Sequence, residues 1–375
     1  MSAPRFTEAW LRDNVWPRFS RVRQRGEIYL ANHSLGRPPD RVADDVRTAL
    51  DAWYRDMDRA WEHWIAGREK FRSLTAKLVN APSADCIVPK TSAGQGLRAV
   101  LNALEGKPRV LTTDAEFDSL DFILRVYREK GRIELKALPF ERFAFEPCQL
   151  VVVSTVAFRN SRIFPDLKDL IRQAHSGRSL VLLDVYHHAG VLPLDLQALD
   201  ADFAVGGSYK YLRGGPGACF LYLHPRHLTG HLRTLDTGWF AKKDVFSYQR
   251  PEPPQFGPGG DAWLESTPPV LAPFQALAGL ELVLELGVEH LREYNLAQKR
   301  RLAALLPVKG EGEDHGAFVT FEREDAEALA GRLREKGIKV DARGDYLRLC
   351  PDILNSEAEL ASAAAVLQEQ LLHPA

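Results

Sequence analysis

The chain has 375 residues, and its 49 basic residues nearly balance its 50 acidic ones. This length is too great for one compact core and suits a large α/β domain with a smaller second one. Balanced charge gives no electrostatic footprint for nucleic acid or a membrane surface, so small molecules are the expected partners. Since no stretch approaches the roughly 18 apolar residues of a membrane span, we expect a cytoplasmic protein. The four scattered cysteines lack a CxxC spacing, which argues for reduced thiols and against a structural zinc site.

The N-terminal part of the chain is predicted to be mostly helical. Residues 1–26 give a basic helical segment, and residues 28–39 give a short strand followed by a Gly/Pro turn. Residues 42–80 have a helical pattern of aromatic residues that includes Trp64. Such a pattern fits either a stripe of core residues, which is the more common use, or the floor of a substrate site.

A strand at residues 87–90 runs into Thr91 and Ser92 and then into a helix. Backbone N–H groups and hydroxyls at the start of a helix bind anions, so these two residues form a candidate anion site. An ordinary helix-capping pair has the same sequence appearance.

Continuous apolar runs predict buried parallel strands that are covered on both faces. Such runs occur at residues 109–113, 150–153, 179–184 and 202–207. Asp184 ends one of these strands, and Lys210 follows the next, directly before a glycine-rich turn. Open α/β sheets bind ligands at the carboxyl edge, so Asp184 and Lys210 are expected to face one ligand.

An acid and a lysine on neighbouring strand ends fit pyridoxal 5′-phosphate (PLP). The lysine forms an imine with the aldehyde of this cofactor, and the carboxylate keeps the ring nitrogen protonated, which makes the ring an electron sink. For any single pair of this kind, a surface lysine and a helix-capping aspartate are the ordinary alternative. The surrounding residues therefore decide between a cofactor site and this ordinary alternative.

The C-terminal third predicts a separate, smaller unit. Residues 270–305 are strongly helical, and a strand at 317–321 and a helix at 326–336 follow. A last strand at residues 346–351 carries Arg348.

Three motifs around the acid and the lysine resemble the kynureninases, which are PLP enzymes of fold type I in the aminotransferase class V superfamily. They are Asp184-Val185-Tyr186-His187-His188-Ala189-Gly190, Ser208-Tyr209-Lys210-Tyr211-Leu212 and Gly214-Gly215-Pro216-Gly217. A thinner similarity extends over nearly the whole chain. It implies an α/β fold: a large PLP-binding domain at residues 41–285, with a central, mostly parallel sheet flanked by helices, and a small C-terminal α+β domain at 286–375. Residues 1–40 would form an N-terminal segment of the small domain at the edge of the active site.

The resemblance also implies roles for individual residues, and none of them is a metal ligand. Lys210, Asp184 and Tyr209 would be catalytic, and Arg348, Ser34 and Trp64 would contact the substrate. The residues that would bind the cofactor are Thr91, Ser92, Phe117, Ser154, Asp184, His187, Tyr209, Lys210, Trp239 and Thr267. In relatives, the segments of Trp239 and Thr267 reach the site of the neighbouring subunit, so a homodimer with a shared active site is implied.

The implied activity is hydrolysis of L-kynurenine, or of 3-hydroxykynurenine, to anthranilate and L-alanine by Cβ–Cγ cleavage, a reaction of tryptophan degradation. His33, Asp118 and Thr267 depart from the family pattern around the substrate, so another class V activity on a different amino acid stays open. A silent relative that binds a partner protein would be expected to lack Lys210 or Asp184, and both are present.

Transamination and cysteine desulfuration are the class V alternatives. A desulfurase needs a reactive thiolate on a mobile loop, whereas Cys350 continues a predicted strand.

Overall fold

The computed structural model describes residues 5–372, so the ends of the predicted N-terminal segment and small domain, at 1–4 and 373–375, lie outside the described residues. The α-helices are α1 Glu8–Asn14, α2 Ser20–Arg23, α3 Arg41–Asp56, α4 Ala60–Leu78, α5 Ala93–Leu101, α6 Asp118–Glu129, α7 Leu167–Ser176, α8 Leu196–Leu199, α9 Ala272–Leu286, α10 Val288–Leu305, α11 Ala326–Glu335 and α12 Glu357–Leu372. The strands are β1 Ile28–Tyr29, β2 Ile87–Lys90, β3 Arg109–Thr113, β4 Glu134–Leu138, β5 Leu150–Ser154, β6 Leu180–Asp184, β7 Phe203–Gly207, β8 Cys219–Leu223, β9 Val319–Glu322, β10 Ile338–Lys339, β11 Asp341–Arg343 and β12 Tyr346–Leu349.

Seven strands form the central sheet, in the order β2-β8-β7-β6-β5-β3-β4. Strands β3 to β7 are parallel, and β8 is antiparallel to both of its neighbours. Every residue of β5, β7 and β8 is buried, because helices cover both faces of the sheet. The predicted α/β architecture with a mostly parallel sheet is therefore confirmed.

Helices α3, α4 and α9 pack together beside the sheet. The helical pattern predicted over residues 42–80 is two helices, because Met57 has a φ of 50° and ends α3. No helix within residues 5–372 is both long and apolar enough to cross a membrane.

A smaller antiparallel sheet, in the order β11-β12-β9, lies in the C-terminal part of the chain. Strand β1 pairs in parallel with β10, and Ala31 forms a bridge with Cys350. The N-terminal segment is thus joined to the C-terminal part of the chain. The predicted division into domains stays a prediction.

Candidate active site

A cleft of about 360 Å³, the central cleft, opens where β5 and β6 end. Eight side chains predicted for the site line it, namely Thr91, Ser92, Phe117, Ser154, Asp184, His187, Tyr209 and Lys210. Five predicted residues do not line it, namely Ser34, Trp64, Trp239, Thr267 and Arg348.

Asp184 is the last residue of β6, and its carboxylate is buried. One carboxylate oxygen accepts the backbone N–H of Tyr186 at 2.9 Å. Burial raises the pKa of Asp184 to about 6, although that hydrogen bond and the charge of Lys210 act in the opposite direction. The group is therefore mostly ionised at neutral pH and can pair with a ring cation in the cleft.

Lys210 follows β7, which lies beside β6 in parallel register. Its Nζ donates to the carbonyl oxygen of His33 at 2.9 Å, lies 2.9 Å from Nε2 of His187, and is 5.3 Å from the ring centroid of Tyr209. Burial, and then repulsion from Arg348, lower the pKa of Lys210 to about 7. Near neutral pH a large share of Lys210 is thus an uncharged amine, the form that attacks an aldehyde carbon.

Another part of the cleft lies at the start of α5. The Oγ of Ser92 accepts the N–H of Gln95 at 3.1 Å and caps the helix. The N–H groups of Ala93 and Gly94, in the first turn, have no acceptor within the helix and can bind an anion. Thr91 donates its N–H and its hydroxyl to Oε1 of Gln95 at 2.7 and 3.1 Å, so Thr91 would bind a phosphate only after Gln95 releases these donors.

These groups fit the cofactor expected from the sequence. A Cβ on Gly94 would lie 2.7 Å from Cδ1 of Ile123 and 3.4 Å from Nη1 of Arg98, so the absence of a side chain keeps this part of the wall open. The start of α5 suits a phosphate, Asp184 suits a protonated ring nitrogen and Lys210 suits an aldehyde. In residues 5–372, no group of three or more His, Cys, Asp or Glu side chains could hold a metal ion.

Phe117 and Ser154 form one wall of the central cleft. The Phe117 ring stands perpendicular to that of Phe158, with 5.7 Å between the centroids. Ser154 donates its N–H and its hydroxyl to Glu116 at 3.1 and 2.6 Å, so only the lone pairs of the hydroxyl remain for a ligand. Burial raises the pKa of Glu116 to about 7.

Arg348 lies behind the cleft wall and is only 3% exposed. Its Nε and Nη2 donate to the two carboxylate oxygens of Asp341 at 2.8 and 2.6 Å, and Nη1 donates to the carbonyl of Phe158, a cleft residue. His33 binds the same Asp341 through Nε2 at 2.8 Å, while the His33 carbonyl accepts from Lys210. A guanidinium has five N–H groups, so these three bonds leave one N–H on each terminal nitrogen for a carboxylate.

Trp64 and Thr267 line a second space of about 200 Å³, the aromatic cavity. Its aromatic side chains are Trp61, Trp64, Phe71 and Phe240. The two cavities share the lining residues Thr91, Gly217 and Cys219. The indole N–H of Trp64 donates to the Ala49 carbonyl at 2.9 Å, so Trp64 belongs both to the core and to this cavity. Trp239 donates its indole N–H to the hydroxyl of Thr267 at 3.1 Å.

The N-terminal segment touches the backbone around Lys210. Ser34 lines neither cavity, and its N–H donates to the Ala31 carbonyl at 2.9 Å. Gly36 donates its N–H to the Tyr209 carbonyl at 2.7 Å. A Cβ on Gly36 would lie 1.9 Å from the carbonyl oxygen of Lys210, so only glycine allows this approach.

Gly36→Ala is therefore expected to destabilise the protein by about 2–3 kcal/mol, because the new methyl group forces the two backbones apart. Urea unfolding measures the effect. Gly331→Ala is the matched control, since a Cβ there meets nothing within 4 Å and the residue lies inside α11. The control should be neutral or slightly stabilising. Equal effects of the two changes would refute the close approach at Gly36.

Sequence reasoning did not assign several residues of the site. Arg98 and Ser119 line the central cleft. Glu116 accepts a hydrogen bond from Ser154, and Asp341 accepts hydrogen bonds from Arg348. Glu116 directly precedes Phe117 just after a strand, which was a usable signal. Asp341 is the register partner of Arg348 in the antiparallel pair of β11 and β12, a pairing that the sequence did not specify.

Comparisons with known proteins show the family to which the chain belongs. Residues 28–346 match the family described as aminotransferase class-V. Kynureninase of Bacillus mycoides (strain KBAB4) is 27% identical, with 92% of this chain and 89% of that protein covered. Kynureninase of Deinococcus radiodurans is also 27% identical, with 87% and 84% covered. The uncharacterized aminotransferase YcbU of Bacillus subtilis (strain 168) is 25% identical, with 88% and 92% covered.

Solved structures share the fold at lower identity. The cystine C-S lyase C-DES, in complex with cysteine persulfide, has a TM-score of 0.82 at 20% identity, with 93% of this chain and 98% of that one covered. The apo cysteine desulfurase of Thermococcus onnurineus NA1 has a TM-score of 0.79 at 17% identity, with 99% and 100% covered. The fold, the central cleft and the extent of the family match lead to one conclusion: the chain belongs to the class V aminotransferase family.

Proposed function

We propose that the chain is a PLP-dependent hydrolase that cleaves the Cβ–Cγ bond of L-kynurenine, or of 3-hydroxykynurenine, with water to give the anthranilate and L-alanine. The aromatic cavity beside the central cleft is the observation that carries this proposal. It offers tryptophan and phenylalanine faces to an aryl group whose amino-acid end lies in the cleft. The similarity to kynureninases over most of the chain supports the same substrate class.

When bound, PLP supplies an electron sink for the electron pair left at Cα as its proton departs. Asp184 would keep the ring nitrogen protonated, and Phe117 would pack against the ring. Thr91, Ser92 and Tyr209 would hold the phosphate. His187 and the lone pairs of Ser154 would orient the cofactor near Asp184.

Lys210 would move the proton at Cα. Its pKa of about 7 allows it to accept and to return a proton near neutral pH. The His33 carbonyl and His187 hold Nζ in place from two sides. Burial also keeps the pKa of His187 well below its usual value, so the ring stays neutral and does not repel a charged lysine.

Arg348 would bind the α-carboxylate of the substrate with its two remaining N–H groups. A substrate fixed at this end keeps the bond that breaks at Cα in one orientation, which is an orientation effect. Trp64 would contact the aryl ring, and Ser34 would lie at the edge of the site.

We propose that a homodimer completes the site. Trp239 and Thr267 lie outside the central cleft, and the Trp239 ring stacks on Tyr248, which is 72% exposed. A second copy that covers this aromatic surface would bring Trp239 and Thr267 toward its own cofactor. The contact would also exclude water from both sites.

Cysteine desulfuration is less well supported. All four cysteines are buried, and burial raises the pKa of the Cys350 thiol far above its usual value. A sulfur-accepting thiolate needs exposure and a lowered pKa, so none of these residues suits that role.

The test is to load the purified protein with PLP and to supply L-kynurenine, 3-hydroxykynurenine, L-cysteine and L-alanine with 2-oxoglutarate in separate reactions. We expect anthranilate fluorescence from L-kynurenine or the hydroxylated product from its derivative, and neither sulfide nor glutamate from the others. Formation of sulfide or glutamate without an aryl product would refute kynurenine as the substrate but would still support PLP as the cofactor.

A further inference from the structure

Arg98 occupies an unusual position in the central cleft. It lies in the last turn of α5, and the end of its side chain reaches back to Gly94 in the first turn. Its Nη1 is 3.4 Å from the point where a Cβ on Gly94 would lie, and Oγ of Ser92 is 3.8 Å from the same point. The guanidinium, a capping hydroxyl and the free N–H groups of the first turn therefore surround one small region of the cleft.

The backbone of Arg98 lies in the last turn of α5, but its guanidinium lies beside the first turn, where a cation is electrostatically unfavourable. The start of a helix carries a partial positive charge that repels a guanidinium. On the next helix, by contrast, Arg125 is paired with Asp121 at 2.8 Å. Within residues 5–372, no hydrogen bond or ion pair joins the Arg98 side chain to any residue. An anionic ligand would offset both the charge of Arg98 and the dipole of α5.

We propose that Arg98 binds the phosphate group of the cofactor and makes the site selective for phosphorylated pyridoxal over free pyridoxal. The inference rests on the proposed PLP dependence but not on the substrate. A planar guanidinium pairs two phosphate oxygens through parallel hydrogen bonds, which a hydroxyl or a backbone N–H cannot do. Arg98 also offers donors that no other side chain occupies, whereas both donors of Thr91 bind Gln95.

The test compares PLP with pyridoxal, which has the same ring and aldehyde but no phosphate. Equilibrium dialysis of the cofactor-free protein gives a dissociation constant for each compound. In Arg98→Met the constant for PLP should rise roughly tenfold or more, because a charge-assisted pair is lost, and the constant for pyridoxal should change less than about twofold. Methionine is a good helix former, so α5 should persist.

Arg128→Met on α6 is the matched control. Arg128 is exposed, does not line the cleft, and loses the same charge on substitution, so both constants should stay unchanged. Arg98→Lys keeps the charge and should fall between wild type and Arg98→Met. A second readout is inorganic phosphate, which should compete with PLP in the wild type and less in Arg98→Met.

Two results would overturn the role of Arg98. One is equal weakening of PLP and pyridoxal, in Arg98→Met or, should that variant fail to fold, in Arg98→Lys. The other is an unchanged constant for PLP. Kynurenine turnover is measured separately, so a protein that binds PLP in an Arg98-dependent way but releases no anthranilate would refute the substrate and keep this inference.

Discussion

Lys210→Ala is expected to lower anthranilate release from L-kynurenine at least about 10³-fold, because the variant loses both the amine that holds the cofactor and the base that acts at Cα. The fold should persist, since among residues 5–372 Nζ has two polar contacts and a buried amine costs desolvation. Stopped-flow fluorescence of the PLP-loaded protein measures the rate. Borohydride reduction followed by mass spectrometry should find a pyridoxyl group on the wild type and none on the variant.

Lys168→Ala serves as the control, because Lys168 is exposed on α7 and lies outside both cavities. It should retain wild-type turnover. If Lys210→Ala kept more than about a tenth of the activity, another group would have to be the base, and the assignment of Lys210 would be wrong.

The parts of the site that follow strand ends could be predicted from the sequence. Buried parallel strands appear as apolar runs, and their carboxyl ends meet at one edge of the sheet, which places Asp184, Ser154 and the residues after β7 together. The strand before Thr91 and Ser92 placed the start of α5 at the same cleft. In these cases the local sequence pattern and the sheet topology predict the same position for a residue.

The contacts behind the cleft wall could not be predicted in this way. His33 and Asp341 come from opposite ends of the chain, and the pairing of β1 with β10 and the bridge between Ala31 and Cys350 bring their segments together. The departure at His33 was visible, but its function as a link between Asp341 and Lys210 was not. The sequence around Trp239 and Thr267 does not indicate on which side of the cleft these residues lie, because their position depends on packing between loops.

The contact of Asp341 with Arg348 leads to the second large prediction. Asp341 is a positioning residue: it holds the Nε and Nη2 edge of Arg348 and leaves the other donors for a carboxylate. Burial raises the pKa of Asp341, but His33 and then Arg348 outweigh it and hold this pKa well below its usual range, so the carboxylate is charged throughout the neutral range. Asparagine has the same shape but only one acceptor oxygen and no charge.

Asp341→Asn is expected to lower kcat/KM for L-kynurenine about 10²-fold or more, mainly through a higher KM, because the buried Arg348 loses its partner and rotates out of position. Asp345→Asn, in the exposed turn after β11, is the matched control and should leave KM unchanged. Arg348→Ala combined with Asp341→Asn should cost little more than Arg348→Ala alone, since the two side chains act as one unit. Additive losses, or a loss of stability with KM unchanged, would show that Asp341 supports the fold and does not position Arg348 for the substrate.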